Sequence, residues 1–270
     1  MTPGQNVPPD RLVGFAHRLA DASAEAITPF FRTSLTVQNK SAAGAYDPVT
    51  EADRQAEDAM RALIMANYPG HGIVGEEGGE TPGEGRYRWM IDPIDGTRAF
   101  IMGSPLWGTL IGLIEDGKPI LGVMNQPFTR ERFWAVQGQA YLRVGDGEAR
   151  RLKTRACSDL AKVTLTTTHP DLFSHPAETE AFQALKSRAT LTRYGGDCYG
   201  YCLLAAGYVD LVVEAGLKPY DVAALIPIIE GAGGVITDWQ GEPALSGGRI
   251  VAAGDPRVHA QALKVLGRAG

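Results

Sequence analysis

Asp92-Pro93-Ile94-Asp95-Gly96-Thr97 is the stretch on which the reading of this chain turns. It sets two carboxylates three residues apart on a turn bent by Pro and Gly, with a hydroxyl directly behind them. The apolar Trp89-Met90-Ile91 ahead of it reads as a buried strand, and Phe100 and Ile101 behind it fit a short helix. Carboxylates at a strand end hold hard cations, and the amides of a helix start face an anion. That combination suits metal-assisted phosphate chemistry. For the hexapeptide alone, an ordinary acidic turn with a helix cap is an equally good account.

With 270 residues, 44% apolar and 21% charged, the chain has room for one large domain or two packed subdomains. A net charge of −5 offers no broad basic field, so nucleic acid is not an expected partner. A phosphate-binding protein with that charge must neutralise its ligand locally, with metal or oriented N–H groups. No apolar run reaches the roughly 20 residues that span a membrane. The segment Met1 to Pro9 has neither a basic n-region nor an apolar h-region, so no secretory signal is expected. Cys157, Cys198 and Cys202 cannot all pair within one chain, and the histidines are scattered. Reduced thiols in a cytoplasmic protein are therefore expected, rather than disulfides or a zinc site.

Pro9 to Arg32 has helical spacing, and a second helix is predicted from about Glu51 to Asn67, opened by Asp47-Pro48-Val49-Thr50 and ended by Tyr68-Pro69-Gly70. Ile73-Val74 predicts a short strand leading to Gly75-Glu76-Glu77, and Gly78 to Gly85 reads as a loop. Leu106 to Val144 reads as antiparallel strands, with hairpin signals at Glu115-Asp116-Gly117-Lys118 and at Gly138. A polar, basic stretch near 146–160 suggests a boundary, giving subdomains 1–145 and 146–270. Beyond it strands and helices alternate, including helices at Cys198–Ala206 and Val222–Gly231, which suggests a mixed or parallel sheet covered by helices.

Acidic residues recur at the ends of these elements. Asp53 opens the second helix, Glu76 follows a strand, Asp92 and Asp95 flank the turn, and Asp221 starts a helix after Lys218-Pro219-Tyr220. Each alone reads as a cap or a solvated acid. Together they offer the several converging oxygen ligands that two Mg²⁺ ions need to clamp the attacking and leaving oxygens of a displacement at phosphorus. Thr97 is placed to contact the attacking water or a phosphate oxygen.

Four blocks now line up: Asp47-Pro-Val-Thr-Glu-Ala-Asp53, Gly75-Glu-Glu77, Asp92 to Thr97, and Tyr220-Asp-Val-Ala with Glu230-Gly-Ala-Gly-Gly234. In type, order and spacing they resemble the inositol monophosphatase superfamily. The resemblance implies an α/β (α+β) chain folded as a layered α/β/α/β/α sandwich, commonly a homodimer, that hydrolyses phosphate monoesters with two or three Mg²⁺ ions. It implies that Glu76, Asp92 and the Ile94 carbonyl hold one metal, and that Asp92, Asp95 and Asp221 hold a second with Asp92 bridging. Glu76 would also reach a third, looser ion. Asp53 and Thr97 would activate the water, the Gly96 and Thr97 amides would bind phosphate, and Glu214 would contact the leaving alcohol.

Arg193-Tyr-Gly-Gly-Asp-Cys-Tyr-Gly-Tyr201 and Val213-Glu-Ala-Gly-Leu-Lys-Pro-Tyr-Asp221 look like the histidinol-phosphate phosphatase branch. So do Gly103-Ser-Pro-Leu-Trp-Gly-Thr109 and Asn125-Gln-Pro-Phe-Thr-Arg-Glu-Arg132. Histidinol carries an ammonium and an imidazole, so its site needs extra acceptors, and Asp197 beside Glu214 supplies two. Asp197 also reads as a helix cap after Gly195-Gly196. Arg193 would reach the phosphate or pair with those acids, or stand as a strand-end surface residue. Tyr220 replaces the Trp more frequent in the superfamily, and Ala99 stands where Asn is common; neither change removes a ligand. The alternative reading is an inositol- or sugar-phosphate phosphatase of the same fold. No basic cluster suggests a second phosphate, and the ligand set is complete, which speaks against a non-catalytic binding protein.

Overall fold

The computed structural model describes residues 8–40 and 48–267. Asp47 and the first seven residues, on which two of the sequence expectations fall, lie outside that range. In chain order the elements are α1 (Pro9–Ile27), β1 (Val37–Asn39), β2 (Pro48–Thr50), α2 (Glu51–Asn67), β3 (Gly72–Gly75), β4 (Gly79–Thr81), β5 (Tyr87–Asp95) and α3 (Thr97–Ile101). The meander β6 (Gly108–Glu115), β7 (Lys118–Gln126), β8 (Glu131–Val136), β9 (Gln139–Val144) and β10 (Arg150–Arg151) follows. The rest is β11 (Thr164–Thr167), α4 (Pro176–Lys186), β12 (Leu191–Tyr194), α5 (Asp197–Ala205), β13 (Leu211–Leu217), α6 (Pro219–Val222), α7 (Leu225–Gly231), β14 (Val235–Asp238), β15 (Gly248–Ala253) and α8 (Pro256–Leu266).

Two sheets form. One has eight strands in the order β10-β9-β8-β7-β6-β5-β3-β4, antiparallel except where β3 meets β5. The other has five, β12-β11-β13-β15-β14, with β11 parallel to both its neighbours. The period of two along each strand sends alternate residues to opposite layers. Leu110 of β6 faces the central layer with Tyr201, Ile228 and Ile229, whereas Ile111 faces α1 and α2 with Phe15, Leu19 and Met60. Likewise Val212 of β13 faces the centre while Leu211 and Val213 face Phe182 and Val258. The layers are therefore α1/α2, large sheet, α5/α6/α7, small sheet and α4/α8, which is the α/β/α/β/α sandwich expected from the sequence. The central core joins strands of the first half to helices of the second.

Both hairpins use the left-handed conformations their turns require. Asp116 and Gly117 lie at φ 48° and 80°, and Gln137 and Gly138 at 51° and 71°. Two expected elements differ. Within the loop expected at Gly78 to Gly85, residues 79–81 pair with β3 as a short edge strand. The helix expected at Val222–Gly231 begins earlier, at Pro219, and is broken at Ala223-Ala224. Pro227 has no N–H to donate to the Ala223 carbonyl, so the turn that would join α6 to α7 lacks its hydrogen bond.

That break is also the closest approach between layers. A Cβ on Gly122 would stand 2.0 Å from the Ala224 carbonyl oxygen, and one on Gly112 would stand 2.9 Å from Ala223. Two glycines inside apolar strands let the segment that follows Asp221 lie directly on β6 and β7. Gly122→Ala is expected to cost about 3 kcal/mol by forcing these layers apart. Denaturant unfolding checks this, and a change below about 1 kcal/mol would mean the contact can relax.

Candidate active site

The site begins with a bulge. Asp92 pairs with Leu110 and Asp95 with Gly108, so three steps along β5 oppose two along β6. In a regular strand, residues three apart point to opposite faces. The one extra residue brings Asp92 and Asp95 onto the same face, that of the central layer. Pro93, which has no N–H to leave unpaired, sits in the bulge, and its carbonyl accepts the Thr109 hydroxyl at 2.9 Å. The Ile94 N–H is satisfied by Asp92 Oδ1 at 3.0 Å. Gly96, at φ 90°, then turns the chain into α3, whose first residue Thr97 donates its hydroxyl to the Ile94 carbonyl at 3.1 Å.

Asp221 arrives from the second half of the chain. It caps α6 by accepting the Lys218 N–H at 2.7 Å. One carboxylate oxygen each from Asp92, Asp95 and Asp221 lie within 4.8 Å of one another. Such a cluster is electrostatically unsatisfied by itself. Burial, then the charges of Glu76, Asp95 and Asp221, holds the Asp92 carboxyl well above its usual range. Burial, then Asp197 and Asp221, does the same to Asp95, although the Cys198 N–H donates to it at 2.5 Å. Burial pushes Asp221 up to about 7. Three converging hard oxygens with raised proton affinity fit a divalent cation of the Mg²⁺ type, and among the described residues no histidine or cysteine belongs to the cluster.

Glu76 stands beside this trio rather than in it. Its carboxylate accepts Lys40 at 2.8 Å, as does that of Glu77, while its charge still acts on Asp92, Asp53 and Asp221. Asp53 is fully buried. Its Oδ2 accepts both the N–H and the hydroxyl of Thr50, at 2.8 and 2.6 Å, and its Oδ1 has no hydrogen-bond partner among the described residues. Burial pushes its carboxyl up to about 6. The structure thus joins Asp53 to Thr50, which the sequence marks only as part of the helix start. Thr97 lies on the neighbouring α3, which packs against the β2 strand that carries Thr50. The capping spacing Thr-x-x-Asp was the signal that could have found Thr50.

On the other side of the turn stands a second acidic pair. Glu214 is buried at a bulge in β13, and its Oε1 accepts the Thr168 N–H at 2.9 Å and hydroxyl at 2.6 Å. The Thr168 hydroxyl in turn accepts the Asp197 N–H at 3.1 Å. Thr168 therefore couples Asp197 to Glu214. Burial raises Glu214 to about 8 and Asp197 to about 6, the latter opposed by Arg98. Asp197 adopts φ 43° at the start of α5, and its Cβ and Cγ lie 3.2 Å from where a Cβ on Gly96 would be. Only a glycine at 96 leaves room for it. Arg193 is elsewhere: it is exposed on the edge strand β12, and its carbonyl accepts the Thr166 hydroxyl.

Comparison with known proteins agrees with this geometry. The profile of the inositol monophosphatase family matches residues 9–269. The Arabidopsis thaliana protein named bifunctional phosphatase IMPL2, chloroplastic, is 45% identical over 95% of this chain and 75% of its own length. The Mycobacterium tuberculosis histidinol-phosphatase is 38% identical over 76% of this chain and 79% of its own. A solved inositol monophosphatase from Zymomonas mobilis superposes with a TM-score of 0.85 at 43% identity, covering 97% of this chain and 100% of that one. No helix among the described residues is long and apolar enough to cross a membrane. This chain belongs to the inositol monophosphatase family.

Proposed function

We propose that this phosphatase hydrolyses L-histidinol phosphate to L-histidinol and phosphate with Mg²⁺, as a cytoplasmic homodimer. The observation that carries the substrate is the Asp197–Thr168–Glu214 relay beside the phosphate-binding turn. A buried carboxylate and a half-buried one next to an already acidic cluster are costly to hold unless the ligand brings positive charge. The ammonium and imidazole of histidinol supply it, and the hydroxyls of inositol do not. The similar histidinol-phosphatases support the same reading. The three cysteines are free, in keeping with a reducing compartment.

Asp92, Asp95 and Asp221, with Glu76 and the Ile94 carbonyl alongside, would hold the metal. When bound, Mg²⁺ supplies positive charge that stabilises the transferring phosphoryl group and acidifies water. The amides of Gly96 and Thr97, at the start of α3, would donate to phosphate oxygens. Asp53 Oδ1, buried and without a partner among the described residues, would accept the water proton, with Thr50 holding the other oxygen. Thr97 orients that water through its hydroxyl.

The 43% identical Zymomonas mobilis protein, named an inositol monophosphatase, favours a second reading in which inositol 1-phosphate is the substrate. Comparing kcat/KM for the two esters separates them, and a preference for inositol 1-phosphate would overturn the first. Asp197→Asn is expected to lower kcat/KM for histidinol phosphate about 10- to 100-fold, the cost of roughly 1.5–3 kcal/mol for a lost charge-assisted contact. The loss on a neutral sugar phosphate should be several-fold smaller. Equal losses would remove the recognition role of Asp197.

A further inference from the structure

Asp53, Glu57 and Arg61 are spaced four apart on α2 and share one face of that helix. Asp53 belongs to the site already described, and the other two face the loop that carries Glu76. Glu57 is 1% exposed, and both of its oxygens are engaged. Its Oε2 accepts the Glu77 N–H at 2.7 Å, and its Oε1 accepts the Gly78 N–H and Arg61 Nε, each at 2.7 Å. Arg61 continues the tie with Nη1 donating to Thr81 Oγ1 at 3.0 Å and Nη2 donating to the Gly79 carbonyl. Helix α2 thus grips the strand–turn–strand β3–β4 through main-chain atoms on the C-terminal side of Glu76.

The glycines flanking Glu76-Glu77 are shaped for this grip. A Cβ on Gly75 would lie 2.2 Å from Glu57 Oε1 and 2.7 Å from Arg61 Nη2. One on Gly78 would lie 2.8 Å from Arg61 Nε and 2.9 Å from Glu57 Oε1. The backbone therefore approaches a buried ion pair as closely as glycine allows. A buried carboxylate of this kind is retained where its donors are all fixed, because losing one partner leaves an uncompensated charge.

We propose that Glu57, backed by Arg61, is a positioning residue for the metal site: it clamps the Glu76 turn to α2 and so fixes Glu76 relative to Asp53. The clamp rests on the reading of Glu76 as a metal ligand, but it needs no assumption about substrate. Glu57→Gln places an amide NH₂ either against the Glu77 N–H or against both the Gly78 N–H and Arg61 Nε, so at least one of the three bonds must become a donor–donor clash. Groups that orient a ligand from behind typically change metal affinity about 10- to 100-fold when lost.

The test is direct binding of Mn²⁺, as a spectroscopic stand-in for Mg²⁺, by electron paramagnetic resonance on the full chain. Thermal unfolding in chelator serves as the fold control. Glu57→Gln is expected to bind Mn²⁺ about 10- to 100-fold more weakly, and to need correspondingly more Mg²⁺ for half-maximal turnover, while kcat at saturating Mg²⁺ falls much less. Wild-type affinity in a folded Glu57→Gln protein would overturn the clamp. Failure of the unaltered protein to bind Mn²⁺ would instead overturn the metal reading itself. If Glu57→Gln does not fold, Arg61→Lys keeps the buried charge compensated but loses the ties to Gly79 and Thr81. It should weaken Mn²⁺ binding about 3- to 10-fold, and unchanged affinity would again overturn the proposal.

Discussion

Asp92→Asn is expected to lower Mg²⁺-dependent kcat/KM at least about 10³-fold on any phosphate monoester the protein accepts, because it removes the carboxylate shared by both proposed metal positions. The fold should survive. Asn keeps an oxygen for the Ile94 N–H, and the substitution deletes one negative charge from a cluster in which burial and three like charges oppose ionisation. In chelator the variant should therefore unfold at the same temperature as the parent or higher, so stability and activity move in opposite directions. Full turnover by the variant in a steady-state assay would remove Asp92 from the metal site. A large drop in unfolding temperature would show that its role is structural.

The second large effect is on stability against pH. In the metal-free protein Asp53 and Asp197 are raised to about 6, Asp221 to about 7 and Glu214 to about 8, each chiefly by burial. Every one of these carboxyls holds its proton more tightly folded than unfolded. Through these carboxyls the native chain binds more protons, so their contribution to stability falls as pH rises, while His17 and His71, lowered to about 4 by burial, act in the opposite sense but only below about 6.5. The loss begins near 4, where the unfolded carboxyls ionise, and is complete once pH passes about 8. For Glu214 alone, raised from 4.5 to about 8, the contribution is up to about 5 kcal/mol.

Calorimetry in chelator should accordingly give a markedly higher unfolding temperature at pH 5.5 than at pH 8. Mg²⁺ should reverse the trend by binding the ionised cluster, and so stabilise the protein far more at pH 8 than at pH 5.5. A metal-free unfolding temperature as high at pH 8 as at pH 5.5 would mean that the acids are better solvated or paired than their burial implies.

The elements and the kind of ligand they carry are legible in neighbouring residues. Ala52, Ala56, Met60 and Ile64 repeat on one helical face, Asp116-Gly117 makes a hairpin turn, and carboxylates stand at the ends of elements, because propensity, capping and turn geometry are local properties written in neighbouring residues. Motif order then carried the family and the layered fold.

How those carboxylates meet is set by packing. Nothing in the hexapeptide says that a bulge opposite Gly108 and Leu110 turns Asp92 and Asp95 to one face. Nor does it say that Gly112 and Gly122 admit the segment bearing Asp221, or that Thr168 links Asp197 to Glu214. The same is true of the grip of Glu57 on the Glu76 turn, from a residue that reads as one more surface glutamate on a helix. These facts depend on strand register and on contacts between residues 20 to more than 100 positions apart in the chain. They are fixed when the layers pack, and no local pattern encodes them.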